Sequence, residues 1–171
     1  MTTIAYDGRY FVTDSQQTAG SVNLGNIKKV YTKAKDGDLI VAAIAGDGDK
    51  IKSICKRQLF DIWNDSIVEE INVIFEPPEK GRIGFWVMAI DPTDLKVVWQ
   101  LTHGEKTAVE IQAPYALGSG ELFAMGAMGC GVDAMDAIRV AAKFNIYTND
   151  ILQIFDCKTK RFVQDLSKGH V

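Results

Sequence analysis

The chain has 171 residues, with 19 lysines and arginines against 22 aspartates and glutamates and a formal net charge of −3. That length suits one globular domain, the near-neutral balance argues against a nucleic-acid binder, and a chain that is 47% hydrophobic and 24% charged is not a disordered one. The longest apolar runs, 39–45 and 85–90, are too short to span a bilayer, and Tyr6, Asp7, Arg9 and Tyr10 interrupt any signal-peptide core, so a cytoplasmic protein is expected with no membrane partner.

Residues 2–6 are β-branched and apolar and lead into Asp7-Gly8, a two-residue hairpin signal, so 9–13 is the returning strand. Residues 14–26 are polar and rich in Ser, Gln and Gly, which reads as loop or irregular strand. Strands follow at 28–32 and 39–45 around a turn at 35–38. The second of these has almost no polar residue, so both its faces should be buried. Gly46 to Asp49 breaks it, and Asp47 or Asp49 could cap a following helix. Ile51, Ile54, Cys55, Leu59 and Ile62 keep helical spacing, clear to Trp63 and weaker through Val73. Pro77-Pro78 closes this half. Strands 83–90 and 96–101 flank a turn at 91–94, and 107–112 and 115–118 are two more, the last ending in Gly118-Ser119-Gly120. Two helices are expected at 121–129 and 133–144. Their small residues Ala124, Ala127, Ala134, Ala137 and Ala141 permit close packing. Strands 151–157 and 160–163 close the chain. No linker or repeat interrupts it, so 1–171 is read as one domain. The order implies an α+β architecture of two antiparallel sheets, each covered by a pair of helices, as a four-layer αββα sandwich. A two-layer α+β domain fits the periodicity equally well.

Cys55, Cys130 and Cys157 are widely spaced with no CxxC pair, so they are expected as reduced, buried thiols rather than disulfides or zinc ligands. The two histidines, His103 and His170, leave little for a histidine-based triad. Gly118-Ser119-Gly120 is no nucleophile elbow, because Leu117 stands where GxSxG needs glycine. It is no dinucleotide fingerprint either, since Phe123 takes the last glycine's place. Asp47-Gly48-Asp49 lacks the EF-hand glutamate, with Gln58 at that position. Met125, Met128 and Met135 read as core or interface filler, and Trp63, Trp86 and Trp99 as packing residues.

Thr2 is the most informative residue. Methionine aminopeptidases remove Met1 before a small residue, and removal would leave Thr2 with a free α-amine beside its hydroxyl. Such an amine has an unperturbed pKa of about 7.7–8.0, near the operating pH where a general base works best. One residue would then supply both nucleophile and base.

The stretch from Thr2-Thr3-Ile4-Ala5 through Asp14-Ser15-Gln16-Gln17-Thr18-Ala19-Gly20-Ser21 resembles the start of a mature proteasome β-subunit. Asn26-Ile27-Lys28-Lys29-Val30-Tyr31 resembles the stretch with the family's catalytic lysine. Ala42-Ala43-Ile44-Ala45-Gly46-Asp47 and Ala116-Leu117-Gly118-Ser119-Gly120 resemble its two turns into helices, and Ile146-Tyr147-Thr148-Asn149 is similar to the short HslV branch. The matches run in order from residue 2 to about residue 157. They imply the N-terminal nucleophile (Ntn) hydrolase fold and a threonine endopeptidase that cuts unfolded polypeptides inside stacked homo-oligomeric rings fed by an AAA+ unfoldase of the HslU type.

The resemblance also implies roles. Thr2 would be the nucleophile, Lys29 the positive charge beside it, Asp14 the partner that orients Lys29, and the Ala43 N–H an oxyanion donor. Ser119 would hydrogen-bond the Thr2 amine, or simply cap the helix. Asn145 and Thr148 would support the site and bind Na⁺ or K⁺ through backbone carbonyls; no other cofactor is implied. Three departures stand out. Ala43 replaces a glycine, Asn145 replaces an aspartate, and 64–82 is short and proline-rich for the family's second helix. A catalytically inactive ring-forming or assembly subunit, and an amidohydrolase of small amides, are the rival functions.

Overall fold

The structure is a computed structural model, and it describes residues 1–20, 22–35, 38–46, 60–62, 64–74, 84–91 and 93–164. The first strands form as the sequence dictates. β1 (Thr3–Tyr6) and β2 (Tyr10–Asp14) pair antiparallel through the Asp7-Gly8 turn. Gly8 takes a φ of +98°, and Asp7 Oδ1 accepts from the Arg9 and Tyr10 amides at 2.8 Å, which pins the turn. β10 (Tyr115–Gly118), β11 (Leu152–Asp156) and β12 (Arg161–Gln164) complete a sheet in the order β10-β1-β2-β11-β12.

The second sheet runs β5-β6-β7-β8-β9. Its members are β5 (Val30–Lys35), β6 (Asp38–Gly46), β7 (Phe85–Ile90), β8 (Val97–Thr102) and β9 (Val109–Gln112). β6 is buried on both faces. Ile40, Ala42 and Ile44 enter one apolar cluster while Val41, Ala43 and Ala45 enter another. This period-2 split is what an uninterrupted apolar strand requires. The second cluster lies between the two sheets, where Ile4, Tyr6, Phe11 and Phe155 of the first meet Val30, Met88 and Val98 of the second.

The polar stretch after Asp14 forms a sheet of its own. β3 (Gln16–Ala19) pairs with β4 (Val22–Asn26), and β4 is exposed along its whole length. A segment this polar cannot be buried on two faces, so it stands apart as a hairpin.

Among the described residues there are three helices: α1 (Asp65–Ile74), α2 (Glu121–Gly129) and α3 (Ala134–Phe144). α2 and α3 pack their alanines against β1, β2 and β11, while α1 lies on the second sheet through Ile67, Val68 and Ile71. The expected four-layer αββα sandwich of two helix-flanked sheets is therefore corrected. Among the described residues, twelve strands in three antiparallel sheets dominate and the helices are few. Two physical reasons account for the difference. The polar 14–26 segment pairs with itself and adds a third sheet that its composition does not announce. Among the described residues, the helical stretch of the first half also begins only at Asp65. A turn at Asp61–Asn64 starts α1, with the Asn64 amide donating to the Asp61 carbonyl at 2.9 Å. The expected helix over 51–59, its Asp47 or Asp49 cap, Cys55, Trp63, Pro77-Pro78 and His170 lie outside the described residues. No described helix is long and apolar enough to cross a membrane.

Candidate active site

Thr2 sits just before β1, almost wholly buried, and lines an open cleft of about 680 Å³. The cleft is bounded by the β3–β4 hairpin at Thr18 and Leu24, by Ala45, Gly46 and Trp86 of the second sheet, and by Ser119 and Tyr147. The Thr2 hydroxyl has no hydrogen-bond partner among the described residues. Its carbonyl is held by the Ser119 amide at 3.0 Å and by Ser119 Oγ at 3.5 Å. Ser119 thus grips Thr2 through the carbonyl and not through the nitrogen. It is not the helix cap either, since Gly120 takes the N-cap position with no side-chain bond. Gly118 adopts a φ of +99°, and a Cβ there would fall 2.0 Å from the Thr2 carbonyl oxygen, so only glycine allows this approach.

Below Thr2 lies a buried ion pair. Lys29 Nζ donates to Asp14 Oδ1 and Oδ2 at 3.1 and 3.0 Å, and both side chains are almost fully enclosed. Nζ also donates to the Gln16 carbonyl at 2.7 Å and to the Met1 carbonyl at 3.2 Å. The last contact places the ammonium against the peptide bond that joins Met1 to Thr2. Asp14 accepts in turn from the Thr3 amide at 2.7 Å and the Gln16 amide at 2.9 Å. Burial pushes the Asp14 carboxyl up, opposed by the Lys29 charge and these two amides. Burial likewise pushes the Lys29 ammonium down, opposed by Asp14. The α-amine of Met1, which donates to Thr18 Oγ1 at 3.0 Å, is lowered by burial first and by the Lys29 charge second.

Other expected residues fall elsewhere. Ala43 lies in the middle of β6, paired with Val30 on one side and Met88 on the other. Its amide faces a paired strand, and its side chain is in the inter-sheet core. The oxyanion role expected of Ala43 is therefore corrected, and Ala45 and Gly46 are the β6 residues at the cleft. Asn145 and Thr148 tie the neighbouring segments together. Asn145 Nδ2 donates to the Ser119 carbonyl, and Thr148 Oγ1 lies 2.6 Å from Thr3 Oγ1. The Asn145 carbonyl accepts the Thr148 amide at 3.1 Å. Among the described residues no cluster of three or more His, Cys, Asp or Glu is placed to hold a metal. His103 is buried and structural, stacked on Phe85 and accepting the Gly84 amide at Nδ1. Cys130 is exposed, against expectation, whereas Cys157 is buried and its thiol is pushed up to about 12, chiefly by that burial.

Three contributors went unread in the sequence. Thr3 carries the Gly120 amide at 2.9 Å as well as the Thr148 hydroxyl. Gln153, fully buried on β11, accepts the Lys29 and Val30 amides at 2.7 and 3.3 Å and donates to the Ile27 carbonyl at 2.8 Å. Trp86 reaches the cleft beside Ala45, its cross-strand partner. A glutamine within an apolar strand is a visible signal for Gln153. Nothing local marks the other two.

No family model matches the chain, and no curated protein matches it in sequence. Among solved structures it is similar to Anbu (ancestral beta-subunit) from Yersinia bercovieri, with a TM-score of 0.64 and 12% identity. The match covers 91% of this chain and 80% of that one. At that identity the likeness shows the fold alone. The expected assignment to the HslV branch is thereby corrected, because no sequence family supports it and a similar solved structure is an ancestral beta-subunit. The relationship that stands is a proteasome-like one, at the level of fold.

Proposed function

We propose that the chain is an N-terminal-threonine hydrolase that cleaves peptide bonds once Met1 has been removed. One observation carries the reading. A buried Lys29 ammonium, held by Asp14, touches the Met1–Thr2 peptide group beneath an unengaged Thr2 hydroxyl in an open cleft. With Met1 gone, the Thr2 amine is exposed to the same positive charge, which favours its neutral, basic form. Thr2 Oγ attacks the substrate carbonyl and its proton passes to that amine. The tetrahedral oxyanion collapses to an ester on Thr2, and the leaving amine takes the proton from the Thr2 ammonium. Water activated by the same amine then hydrolyses the ester. The backbone at Ala45 and Gly46, beyond the last β5–β6 pair at Ala43, lines the cleft and would supply the oxyanion donor.

A second reading has its own observation. Met1 lines the cleft, and its ammonium is held by Thr18. A chain that keeps Met1 has an amide at Thr2, no base there, and a filled site, as in a non-catalytic subunit. Intact mass and turnover of fluorogenic peptides by the same preparation decide between the two. A mass short by one methionine, with turnover that Thr2→Ala lowers by at least about a thousandfold and Thr2→Ser retains in part, is expected. Turnover unchanged in Thr2→Ala sinks the hydrolase reading. A retained methionine with no turnover supports the second, and turnover of small amides alone supports an amidohydrolase.

A further inference from the structure

Among the described residues that line the cleft at Thr2, Glu121 carries the one charged side chain. The Lys29–Asp14 pair beneath is closed on itself, with both side chains enclosed, so it leaves no net charge to answer Glu121. Glu121 opens α2, and a carboxylate in a first helical turn is favoured by the helix dipole. That accounts for the residue type and for one of its oxygens, since Oε2 accepts the Gly118 amide at 3.2 Å. The other oxygen has no hydrogen-bond or ion-pair partner among the described residues.

Gly118 joins this carboxylate to an aromatic wall. A Cβ at Gly118 would lie 3.5 Å from Ala45 Cβ, and Ala45 is paired across the strands with Trp86. Trp86 lines the same cleft, half-buried, and its indole N–H donates to nothing among the described residues. The nearby Tyr115 hydroxyl donates to Gln100 Oε1, and its phenol is pushed up by burial first and by the Glu121 charge second. It therefore neither donates to the carboxylate nor offers it a positive charge. A peptide that settles in the cleft takes water away from Glu121. A neutral side chain there would leave the carboxylate dry and unpaired, and an acidic one would add a like charge. A lysine or arginine gives it a partner and lays a cation on the indole face, tryptophan being the ring that holds a cation best.

We propose that Glu121 and Trp86 form a subsite for a lysine or arginine side chain of the peptide, beside the bond that Thr2 attacks. Cleavage is then selective for basic sequence, because a charge pair covered by its own substrate is less screened than one on an open surface. The subsite rests on the hydrolase reading for its effect on turnover. Its effect on binding stands apart from that reading.

The test uses a neutral parent peptide and a set in which one lysine, or one glutamate, replaces each residue in turn. Turnover is read by mass spectrometry with the wild type, and binding by fluorescence anisotropy with Thr2→Ala, which does not consume the peptide. At one position lysine is expected to raise kcat/KM and affinity about tenfold over the parent, glutamate to lower both, and the lysine preference to shrink in high salt. Glu121→Gln keeps an acceptor for the Gly118 amide and should melt with the wild type, yet bring lysine and parent peptides level. Glu121→Lys should reverse the order, so that the glutamate peptide leads. Trp86→Phe keeps a ring at the wall and should lower the preference in part. Turnover without any such preference, or with one that Glu121→Gln leaves in place, overturns the subsite and spares the hydrolase reading. Charge-dependent binding without turnover removes the hydrolase reading and keeps the subsite. Peptides that neither bind by charge nor turn over remove both.

Discussion

At the scale of the residue, the site depends on how a charge is kept in a place that should not hold one. Asp14 and Lys29 are both enclosed, and each is costly to ionise there. Asp14 manages it with the lysine and two backbone amides, whereas Lys29 relies on Asp14 and two carbonyls. Lys29→Met therefore leaves Asp14 with the amides and the full effect of burial, which already pushes it above its reference of 3.8. Removing the lysine's charge moves it further up. A carboxyl whose folded pKa exceeds its unfolded value binds more protons folded than unfolded across the window between them. Stability then falls as pH rises through that window. Lys29→Met is expected to lose stability steadily from about pH 4 upward, by about 1.4 kcal/mol for each unit its Asp14 is raised. Denaturant midpoints at pH 5 and pH 8 measure this. A variant with the wild-type pH slope would show that the ion pair does not control Asp14.

At the scale of the element, the question is what sets Lys29 under Thr2. Lys29 lies just ahead of β5 in the second sheet, and Thr2 just ahead of β1 in the first. The link across is Gln153 of β11, which holds the backbone of Ile27, Lys29 and Val30. Gln153→Ala leaves two amides and one carbonyl unpaired in a dry place, at about 1–3 kcal/mol for each group that finds no substitute. On the reading proposed for Thr2, turnover falls more than peptide binding, because Gln153 positions the lysine and does not line the cleft. Steady-state kinetics check this, and Gln153→Glu, which keeps an acceptor for the amides, should recover part of the loss. An equal fall in both variants' binding with unchanged turnover would remove Gln153 from that role. How far these elements can be read depends on how local their signals are. The Asp7-Gly8 hairpin, the doubly buried β6, and β10 and α2 to the residue are legible because turn chemistry and periodicity lie within the segment. Thr2 is picked out by its place after a removable Met1, and Asp14, Lys29 and Ser119 by resemblance; the structure gathers the last three at the two peptide groups that flank Thr2. Ala43 is misplaced by the sequence because strand register, not composition, decides which β6 amide is free. The β3–β4 hairpin is read only as loop or irregular strand, because polar residues and glycine resemble a loop until a partner strand is known.

At the scale of the whole molecule, the cleft has walls of unequal strength. One wall is the end of β6 with its neighbour β7, strands whose inner faces meet the first sheet through Val41, Ala43, Ala45 and Met88. The opposite wall is the β3–β4 hairpin, where Val22 and Leu24 are 59% and 56% exposed. A two-stranded ribbon is at most marginally stable by itself. Opening it breaks little apolar contact, whereas opening β6 breaks the clusters on both its faces at once. Hydrogen exchange followed by mass spectrometry is therefore expected to show the amides of β3 and β4 exchanging by local opening, far faster than those of β1, β2, β6 and β7, which should exchange only by global unfolding. That difference has a consequence for any ligand of the cleft. An extended peptide lying against Thr18 and Ala19 would order the weak wall against the strong one, so β3–β4 protection should rise on binding while β6 stays as it was. Equal protection of the hairpin and β6 in the free protein would mean that something else covers the hairpin, and the cleft would then be preformed on both sides.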